Sequence, residues 1–245
     1  MIMGMNRPQP SEKPHPLSDE EVRDFASRLS HDLGAPLRTL RGFGQLLQRR
    51  VGSQLDSHAR ELLDLVLADG LRAEQMPAGS VEWLRAGLAS PVAEELRRRD
   101  RSQALHSVVE SFSSRLGQVR GQVSVKGMPL LPGTDADWVR IFGALLSNAI
   151  QFRDSARPFK VELRGGDGWF EIEDNGIGLP PEADAERAFG LFSRLHDPTR
   201  CDGVGLGVGL ALCDRWIQSR RGTIRFVGHA VTGQSVGVTL RIEWS

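Results

Sequence analysis

The first segment that could carry chemistry is residues 27–43, with the sequence SRLSHDLGAPLRTLRGF. It places His31 beside Asp32, and an imidazole nitrogen oriented by a carboxylate is a competent nucleophile. His31 is two positions from both Leu29 and Leu33, which is about 200° around a helix at ~100° per residue. The side chain of His31 is therefore predicted to point away from the apolar stripe and into solvent.

A lone helical histidine is usually a surface residue without a task, and that interpretation stays open at this point. Three features weaken it: Asp32 beside the histidine, Pro36 five positions later, and the pair Leu37 and Arg38 that follows. A proline inside a strongly helical pattern costs about 3 kcal/mol and commonly marks a local bend. These three features favour some functional role for His31 over that of a plain surface residue.

Two further segments combine polar residues with apolar or glycine-rich surroundings. In DWVRIFGALLSNAIQFR, Asn148 interrupts an apolar helical face, and an amide oxygen can bind a hard cation such as Mg²⁺. In EIEDNGIGLP, Asp174 follows a strand, and Gly176 and Gly178 would let the backbone approach a ligand closely. The alternatives are a satisfied polar residue on a helix and an ordinary hairpin turn.

The fourth segment, residues 188–216, has glycines at every second position before a helical pattern. These are Gly203, Gly205, Gly207 and Gly209. Unpaired backbone amides at the start of a helix bind phosphate well. A glycine-rich loop before a helix is weak evidence when it stands alone.

The element predicted to present His31 is a long helix. From Val22 onward, apolar residues recur every three or four positions, and Gly52 ends the pattern. A second helical pattern begins near Asp56, and Pro77 is expected to kink or end it. One such hairpin buries its apolar stripe poorly, so pairing with a second copy into a four-helix bundle is predicted.

The remainder of the chain predicts an α+β sandwich, with helices on one face of a mixed sheet. Strand patterns occur at residues 122–127, 159–165, 169–174, 223–228 and 236–244, and helical patterns at about 135–152 and 207–218. The predicted domains are a disordered lead (1–17), a hairpin domain (18–95) and a second domain (104–245).

Composition narrows the class of partner. The chain has 31 basic and 31 acidic residues, so no global field favours nucleic acid or an anionic membrane. No run approaches the ~20 apolar residues of a membrane span. Cys201 and Cys213 lack a ligand-like spacing and make no disulfide framework. We therefore expect a soluble, cytoplasmic protein with neither nucleic acid nor membrane as a partner.

In their order, these segments resemble the motifs of the transmitter core of sensor histidine kinases. HDLxxPLR resembles the phosphoacceptor box, especially that of the phytochrome subgroup, and LLSNAIQFR resembles the N-box. DNGIG resembles the first glycine box, FSRLH the F-box, and GLGVGLALC the second glycine box. The resemblance runs from about residue 20 to the end. It implies an ATP-binding domain of the Bergerat, or GHKL, type, and no GxxxxGK[ST] loop occurs.

The resemblance also implies roles for particular residues. His31 would accept a phosphoryl group while Asp32 orients its ring. Asn148 would coordinate Mg²⁺, Asp174 would accept a hydrogen bond from the adenine amino group, and Arg194 would reach the terminal phosphate. The implied nucleotide-binding residues are Asn148, Phe152, Asp174, Gly176, Gly178, Gly205, Gly207 and Gly209.

Three positions depart from the family pattern. Ala144 and Gln151 stand where Asn and Lys are usual, which removes a polar group and a charge near the metal and phosphates. Ala35 replaces the Thr or Asn that positions a hydrolytic water in many relatives. We therefore expect weak or absent phosphatase activity toward a phosphorylated partner.

The predicted function is an ATP- and Mg²⁺-dependent protein-histidine kinase that phosphorylates His31. The phosphoryl group would pass in trans to an aspartate on a response-regulator receiver domain. A homodimer through the hairpin and a separate sensor or input protein are the other predicted partners. The alternatives are a histidine phosphotransfer protein with a degenerate ATP domain, a serine kinase of the anti-sigma type and a structural dimerisation module. The stimulus, the receiver and the choice between cis and trans phosphorylation stay open.

Overall fold

The computed structural model describes residues 19–88, 96–180, 183–196, 205–229 and 237–244. The predicted lead over residues 1–17, the interval 197–204 with Cys201 and Gly203, and residues 89–95 at the end of the predicted hairpin domain lie outside the described residues.

The first two helices form the predicted hairpin. They are α1 (Asp19–Val51) and α2 (Ser57–Leu88). A salt bridge of 2.8 Å between Arg41 and Glu74 and a hydrogen bond of 2.7 Å between Gln48 and Asp64 join them. Near the turn, the guanidinium of Arg60 donates to the carbonyl oxygen of Gly52.

The sequence predicts that Pro77 kinks or ends α2; the helix continues through it to Leu88, so the proline does not end it, and a kink at Pro77 stays a prediction. Pro77, Gly79 and Val81 are the residues of α2 that are buried. Packing of this part of α2 against the second domain offsets the lost backbone hydrogen bond, which costs about 3 kcal/mol in an isolated helix.

Apolar side chains of the hairpin remain exposed in the single chain. Phe25 and Leu40 are each 64% exposed and Val66 is 63% exposed. The others are Leu33, Phe43, Leu46, Leu47, Leu62, Leu65 and Leu71. Monomeric proteins rarely leave so large an apolar surface uncovered, which agrees with the predicted pairing of hairpins. Among the described residues, none of the helices is both long enough and apolar enough to span a bilayer.

The second domain consists of short helices and a sheet. Its elements are β1 (Arg99–Asp100), α3 (Ser102–Ser111), α4 (Ser113–Gln118), β2 (Gln122–Lys126), β3 (Leu130–Leu131), α5 (Asp135–Gln151), β4 (Lys160–Gly166), β5 (Trp169–Asp174), a 3₁₀ helix (Ala185–Phe189), α6 (Gly209–Ser219), β6 (Gly222–His229) and β7 (Val238–Trp244). Strand β1 precedes the predicted start at residue 104 and pairs with β3.

The main sheet is mixed, as predicted. Its strand order is β2-β4-β5-β7-β6, with β2 parallel to β4 and the remaining neighbours antiparallel. The hydrophobic core joins α3, α5 and α6 to residues of the sheet such as Phe170, Ile224 and Ile242. The structure therefore confirms an α+β chain, with a helical hairpin followed by helices packed on a mixed sheet.

Trp138 lies in the middle of this core and is fully buried. Its ring packs edge-on against Phe170, Trp216 and Trp244. Its indole N–H donates to the carbonyl oxygen of Pro132 at 2.5 Å. A capping box between Thr134 and Asp137 stabilises the start of α5. Asn148 lies on this helix.

Candidate active site

A cavity of about 380 Å³ lies between α5, the loop after β5 and the start of α6. Of the residues predicted to bind nucleotide, those that line it are Asn148, Phe152, Asp174, Gly178, Gly205, Gly207 and Gly209. Arg194 also lines it, as do Ala144 and Gln151, which depart from the family pattern. Segments more than 50 residues apart in sequence, as Asn148 and Gly205 are, therefore share one site.

Asp174 ends β5 at the edge of the cavity. The backbone N–H of Gly176 donates to its carboxylate at 2.8 Å. Burial raises the pKa of Asp174 to about 6, against the opposing effect of hydrogen bonds from the backbone of Gly176 and Val238. Asp174 is thus an acceptor held in place by backbone donors, and its ionisation changes near neutral pH.

Gly176 does not line the cavity but fixes the loop that carries Asp174. The next residue, Ile177, donates its N–H to the carbonyl oxygen of Phe152 at 2.8 Å. A Cβ at Gly176 would overlap that same carbonyl oxygen, so a glycine is needed for this close approach. The loop after β5 is therefore clamped to the end of α5.

Phe152 and His196 form one wall of the site. Their ring centroids are 5.1 Å apart with a tilt of 36°. The Nε2 of His196 lies 2.9 Å from the carbonyl oxygen of Gly178, which is hydrogen-bond distance for a ring N–H. His196 was not predicted as a site residue, because its contacts come from elements far away in sequence.

The glycine loop before α6 is held by the segment around Phe192. The N–H of Phe192 donates to the carbonyl oxygen of Gly207 at 2.8 Å. Gly207 has φ of 70°, and a Cβ there would overlap the carbonyl oxygen of Ser193. Phe192 itself has φ of 63°, an uncommon backbone conformation for a residue with a bulky side chain. The loop therefore requires a glycine at position 207, and it also requires Phe192 to adopt an unfavourable backbone conformation.

A nucleotide fits the donors and walls of this cavity. The Nη2 of Arg194 is buried and has no hydrogen-bond partner among the described residues, although burying an unpaired guanidinium nitrogen is unfavourable. A phosphate oxygen would satisfy it. Leu179, Leu210 and Val238 supply an apolar surface of the kind that an adenine ring packs on.

The site also fits Mg²⁺ through one protein oxygen. No cluster of three or more His, Cys, Asp or Glu side chains that could hold a metal occurs in the part of the chain that the structure describes. Magnesium in nucleotide sites usually has one or two protein ligands and completes its shell with phosphates and water. The amide of Asn148, which lines the cavity, is a suitable oxygen donor.

His31 lies on the hairpin, outside the nucleotide cavity. Its side chain is 84% exposed, as the helical spacing predicts. The Nδ1 of His31 is 3.1 Å from the Oδ1 of Asp32, so an Nδ1–H can donate to the carboxylate. That tautomer leaves the lone pair on Nε2, the nitrogen that points away from Asp32.

Gln75 is a second residue of the site that was not predicted. It belongs to α2, yet it lines the cavity together with Asn148 and Asp174. No local sequence signal marks a glutamine on a helix as part of a pocket that another domain forms. The position of Gln75 in the cavity wall follows from the tertiary structure alone.

Two family models match the chain. The first is described as the His Kinase A (phospho-acceptor) domain and covers residues 21–76, which include His31. The second is described as histidine kinase-, DNA gyrase B-, and HSP90-like ATPase and covers residues 133–244, from the turn before α5 to the end of β7. The matches fall on the hairpin and on the domain that forms the cavity.

Among curated proteins, the phytochrome-like protein Cph1 of Synechocystis sp. is 29% identical over 211 residues. The match covers 84% of this chain and 27% of Cph1. The cyanobacterial phytochrome A of Nostoc sp. is 30% identical over 211 residues, with 84% and 27% covered. The chain thus spans 27% of the length of each of these two relatives.

Among solved structures, full-length ShkA in complex with AMPPNP has a TM-score of 0.58 and 21% identity, and the match covers 91% of this chain and 45% of ShkA. The Acinetobacter baumannii histidine kinase AdeS has a TM-score of 0.51 and 19% identity, with 86% and 96% covered. At these identities the likeness supports the fold, a hairpin joined to an ATPase-type α/β sandwich.

Proposed function

We propose that this chain, the transmitter core of a sensor histidine kinase, is an ATP-dependent protein-histidine kinase. It phosphorylates His31 and then passes the phosphoryl group to an aspartate on a response-regulator receiver domain. The observation that carries the proposal is the buried Nη2 of Arg194, which has no hydrogen-bond partner within the described ranges and lies in a cavity that Asp174 and Asn148 also line.

The nucleotide is held by residues of the second domain. Asp174 accepts the hydrogen bond of the adenine amino group, and the backbone around Gly205 and Gly207 approaches the phosphates. Arg194 offsets negative charge on the terminal phosphate. Mg²⁺, held by Asn148, would supply further charge neutralisation when bound.

His31 is the nucleophile. Asp32 accepts the Nδ1–H of His31 and so directs the Nε2 lone pair outward. As the bond between Nε2 and the terminal phosphorus forms, the bond from that phosphorus to the bridging oxygen breaks, and ADP leaves with the electron pair. The imidazole becomes cationic, the carboxylate of Asp32 stabilises this charge, and the Nδ1 proton is then released to solvent.

The hairpin provides the surface for two protein partners. Its exposed apolar residues, such as Leu40, Phe43 and Val66, support a homodimer in which two hairpins form a four-helix bundle. A receiver domain would dock beside His31, where the imidazole is open to solvent. The weak phosphatase activity predicted from Ala35 and the predicted cytoplasmic location stay predictions.

The proposal is tested by incubation with ATP labelled at the terminal phosphate. Wild type should acquire label that is lost in acid and kept in base, as a phosphoramidate is. His31→Ala should acquire none. His58→Ala is the matched control, because His58 is also an exposed helical histidine of the hairpin, and it should be labelled like wild type. Undiminished acid-labile label on His31→Ala would refute the assignment.

Nucleotide binding is a separate test. Titration calorimetry with ATP and Mg²⁺ should show binding to wild type and to His31→Ala alike, because His31 is outside the cavity. No binding to either protein would support the alternative, a phosphotransfer protein whose ATP domain has lost its function.

A further inference from the structure

One side of α2 lies against the second domain of the same chain. The guanidinium of Arg72 donates to the carbonyl oxygen of Phe192 at 3.3 Å. Further along the helix, the guanidinium carbon of Arg215 lies 4.8 Å from the centre of the Trp83 ring, a cation–π contact. Positions 72 and 83 are about three helical turns apart, so both contacts come from the same side of α2.

Glycines on that side bring the backbone of α2 close to the second domain. Gly79 and Gly87 lie one turn before and one turn after Trp83. A Cβ placed on Gly79 would lie 3.0 Å from Cγ2 of Val208, which is closer than the optimum for two carbon atoms. Val208 is the residue at which α6 begins. A larger side chain at Gly79 would therefore push α2 away from the start of α6.

Gln75 belongs to the same side of α2, three positions after Arg72 and four before Gly79. It is exposed, and it lines the nucleotide cavity. Its two neighbours on this side face Phe192 and Val208, which precede and follow the described part of the glycine loop. The side chain of Gln75 therefore lies beside that loop and the N-terminus of α6, where backbone amides favour phosphate.

The cavity offers few basic side chains to the phosphates of a nucleotide. Among the described residues that line it, the basic ones are Arg194 and His196. The Nε2 of His196 faces the carbonyl oxygen of Gly178. The amide of Gln75 carries two N–H donors and lies on the segment of α2 that contacts Phe192, two residues before Arg194. Gln75 can therefore add a donor close to the group that Arg194 binds.

We propose that Gln75 is a nucleotide-binding residue that the hairpin supplies to the second domain, and that its side-chain amide donates a hydrogen bond to the terminal phosphate of ATP. The inference rests on the proposed kinase function and adds a residue of α2 to its nucleotide site. ADP lacks the terminal phosphate. Gln75 therefore favours ATP over ADP, and it does so only while α2 and the second domain are in contact.

The test measures dissociation constants for ATP and for ADP by titration calorimetry with Mg²⁺. Every full-length chain carries His31→Ala, so that ATP is not consumed by phosphorylation of His31. Adding Gln75→Ala should raise the dissociation constant for ATP about fivefold, as expected for the loss of a hydrogen bond to a charged group, and leave that for ADP within twofold. Gln48→Ala is the matched control, because Gln48 is an exposed helical glutamine that bonds to Asp64 and does not line the cavity.

Two charged variants separate phosphate binding from a role in packing. Gln75→Lys should bind ATP at least as tightly as the parent chain, whereas Gln75→Glu should bind ATP more weakly than Gln75→Ala does. Equal losses for ATP and ADP, or an unchanged affinity for ATP in Gln75→Ala, would overturn the inference. Absence of binding of either nucleotide to the parent chain would instead overturn the nucleotide site of the proposed kinase, and the role of Gln75 with it.

A further variant tests whether Gln75 acts through the contact between α2 and α6. Gly79→Leu should weaken ATP binding about as much as Gln75→Ala does, and the double variant should be no weaker than either single one. Gly42→Leu makes the same exchange on α1, where an added Cβ has no atom within 4 Å, and should leave ATP binding unchanged. Circular dichroism verifies that the variants are folded. Additive losses in the double variant would contradict the proposed dependence on this contact.

Discussion

The hairpin and the second domain differ in how they bury their apolar side chains. The second domain encloses a continuous core around Trp138, Phe142 and Phe170, all of them fully or almost fully buried. The hairpin leaves Leu40 and Val66 more exposed than buried, and of the described side-chain positions in α1 only Gly34 and Gly44 are buried. The second domain buries its apolar side chains within the single chain, whereas the hairpin would need a second surface to bury its own.

This difference separates two kinds of stability. Folding of the second domain is expected to be independent of protein concentration, because its core is internal. Stability of the hairpin is expected to rise with concentration, because the proposed partner copy would cover its apolar surface. The variants below test the two regions against each other.

The largest expected effect is on the core of the second domain. Trp138→Ala removes a buried ring that four other aromatic rings contact, and it should lower the free energy of unfolding by about 3–5 kcal/mol. Urea unfolding followed by tryptophan fluorescence measures it. Leu40→Ala in the hairpin is the comparison, and its effect should shrink as the protein is diluted. A concentration-independent loss of the same size for Leu40→Ala would break the comparison.

A charge on the exposed face of the hairpin should act on association. Phe43→Glu would place a carboxylate in the proposed bundle interface and raise the dimer dissociation constant by on the order of 100-fold. Sedimentation equilibrium measures the constant. Thr39→Glu, at an exposed polar position of the same helix, is the control and should change it far less. An unchanged dissociation constant for Phe43→Glu would show that Phe43 is not in the dimer interface.

The next effect concerns Asp174 and pH. Its native pKa of about 6 is above the usual value, so the native chain binds this proton more tightly than the unfolded chain does. Falling pH therefore adds stability through this group between about pH 6 and pH 4. Nucleotide affinity should change in the opposite direction and fall about tenfold from pH 7 to pH 5, because in the proposed complex the adenine amino group donates to the ionised carboxylate of Asp174.

Titration calorimetry between pH 7 and pH 5 measures the nucleotide affinity, and scanning calorimetry over the same range measures the stability of the free protein. Asp174→Asn should bind weakly at every pH and lose the dependence, since an amide does not titrate. A wild-type affinity that is constant between pH 7 and pH 5 would show that the ionised form of Asp174 is not required.

The smallest expected effect is at the contact between the two regions. Trp83→Ala removes the ring beneath the Arg215 guanidinium and should weaken docking of the second domain by about 0.5–1 kcal/mol. The labelling rate of His31 should fall a few-fold while the dissociation constant for ATP stays within twofold. Hydrogen exchange in α6 should rise in the variant, and unchanged exchange would argue against docking at Trp83.

The sequence predicted the repetitive elements well. The strand patterns at residues 159–165 and 169–174 correspond to β4 and β5 within a residue or two, because alternating side chains reflect a half-buried sheet. The exposure of His31 follows from its angle around α1. Both features are local, and local periodicity determines them.

The unpredicted features all depend on contacts between distant segments. Whether Pro77 kinks or ends α2 could not be decided from the sequence; the helix continues to Leu88, and its buried residues are Pro77, Gly79 and Val81. Gln75 and His196 line the site through the tertiary arrangement, and the two-residue strands β1 and β3 are too short to give a pattern. Local motifs therefore predict part of the site, and the tertiary arrangement adds the residues that lie far away in sequence.

Phe192 links two binding events through its own peptide groups. Its N–H is bonded to Gly207 in the nucleotide loop, and its carbonyl oxygen is bonded to Arg72 of the hairpin. If nucleotide binding shifts the loop toward the docked geometry, the affinity of the second domain for the hairpin rises by a certain factor. Linkage then requires that docking raise nucleotide affinity by that same factor. An input signal that moves only α2 would thereby change the affinity of the chain for ATP.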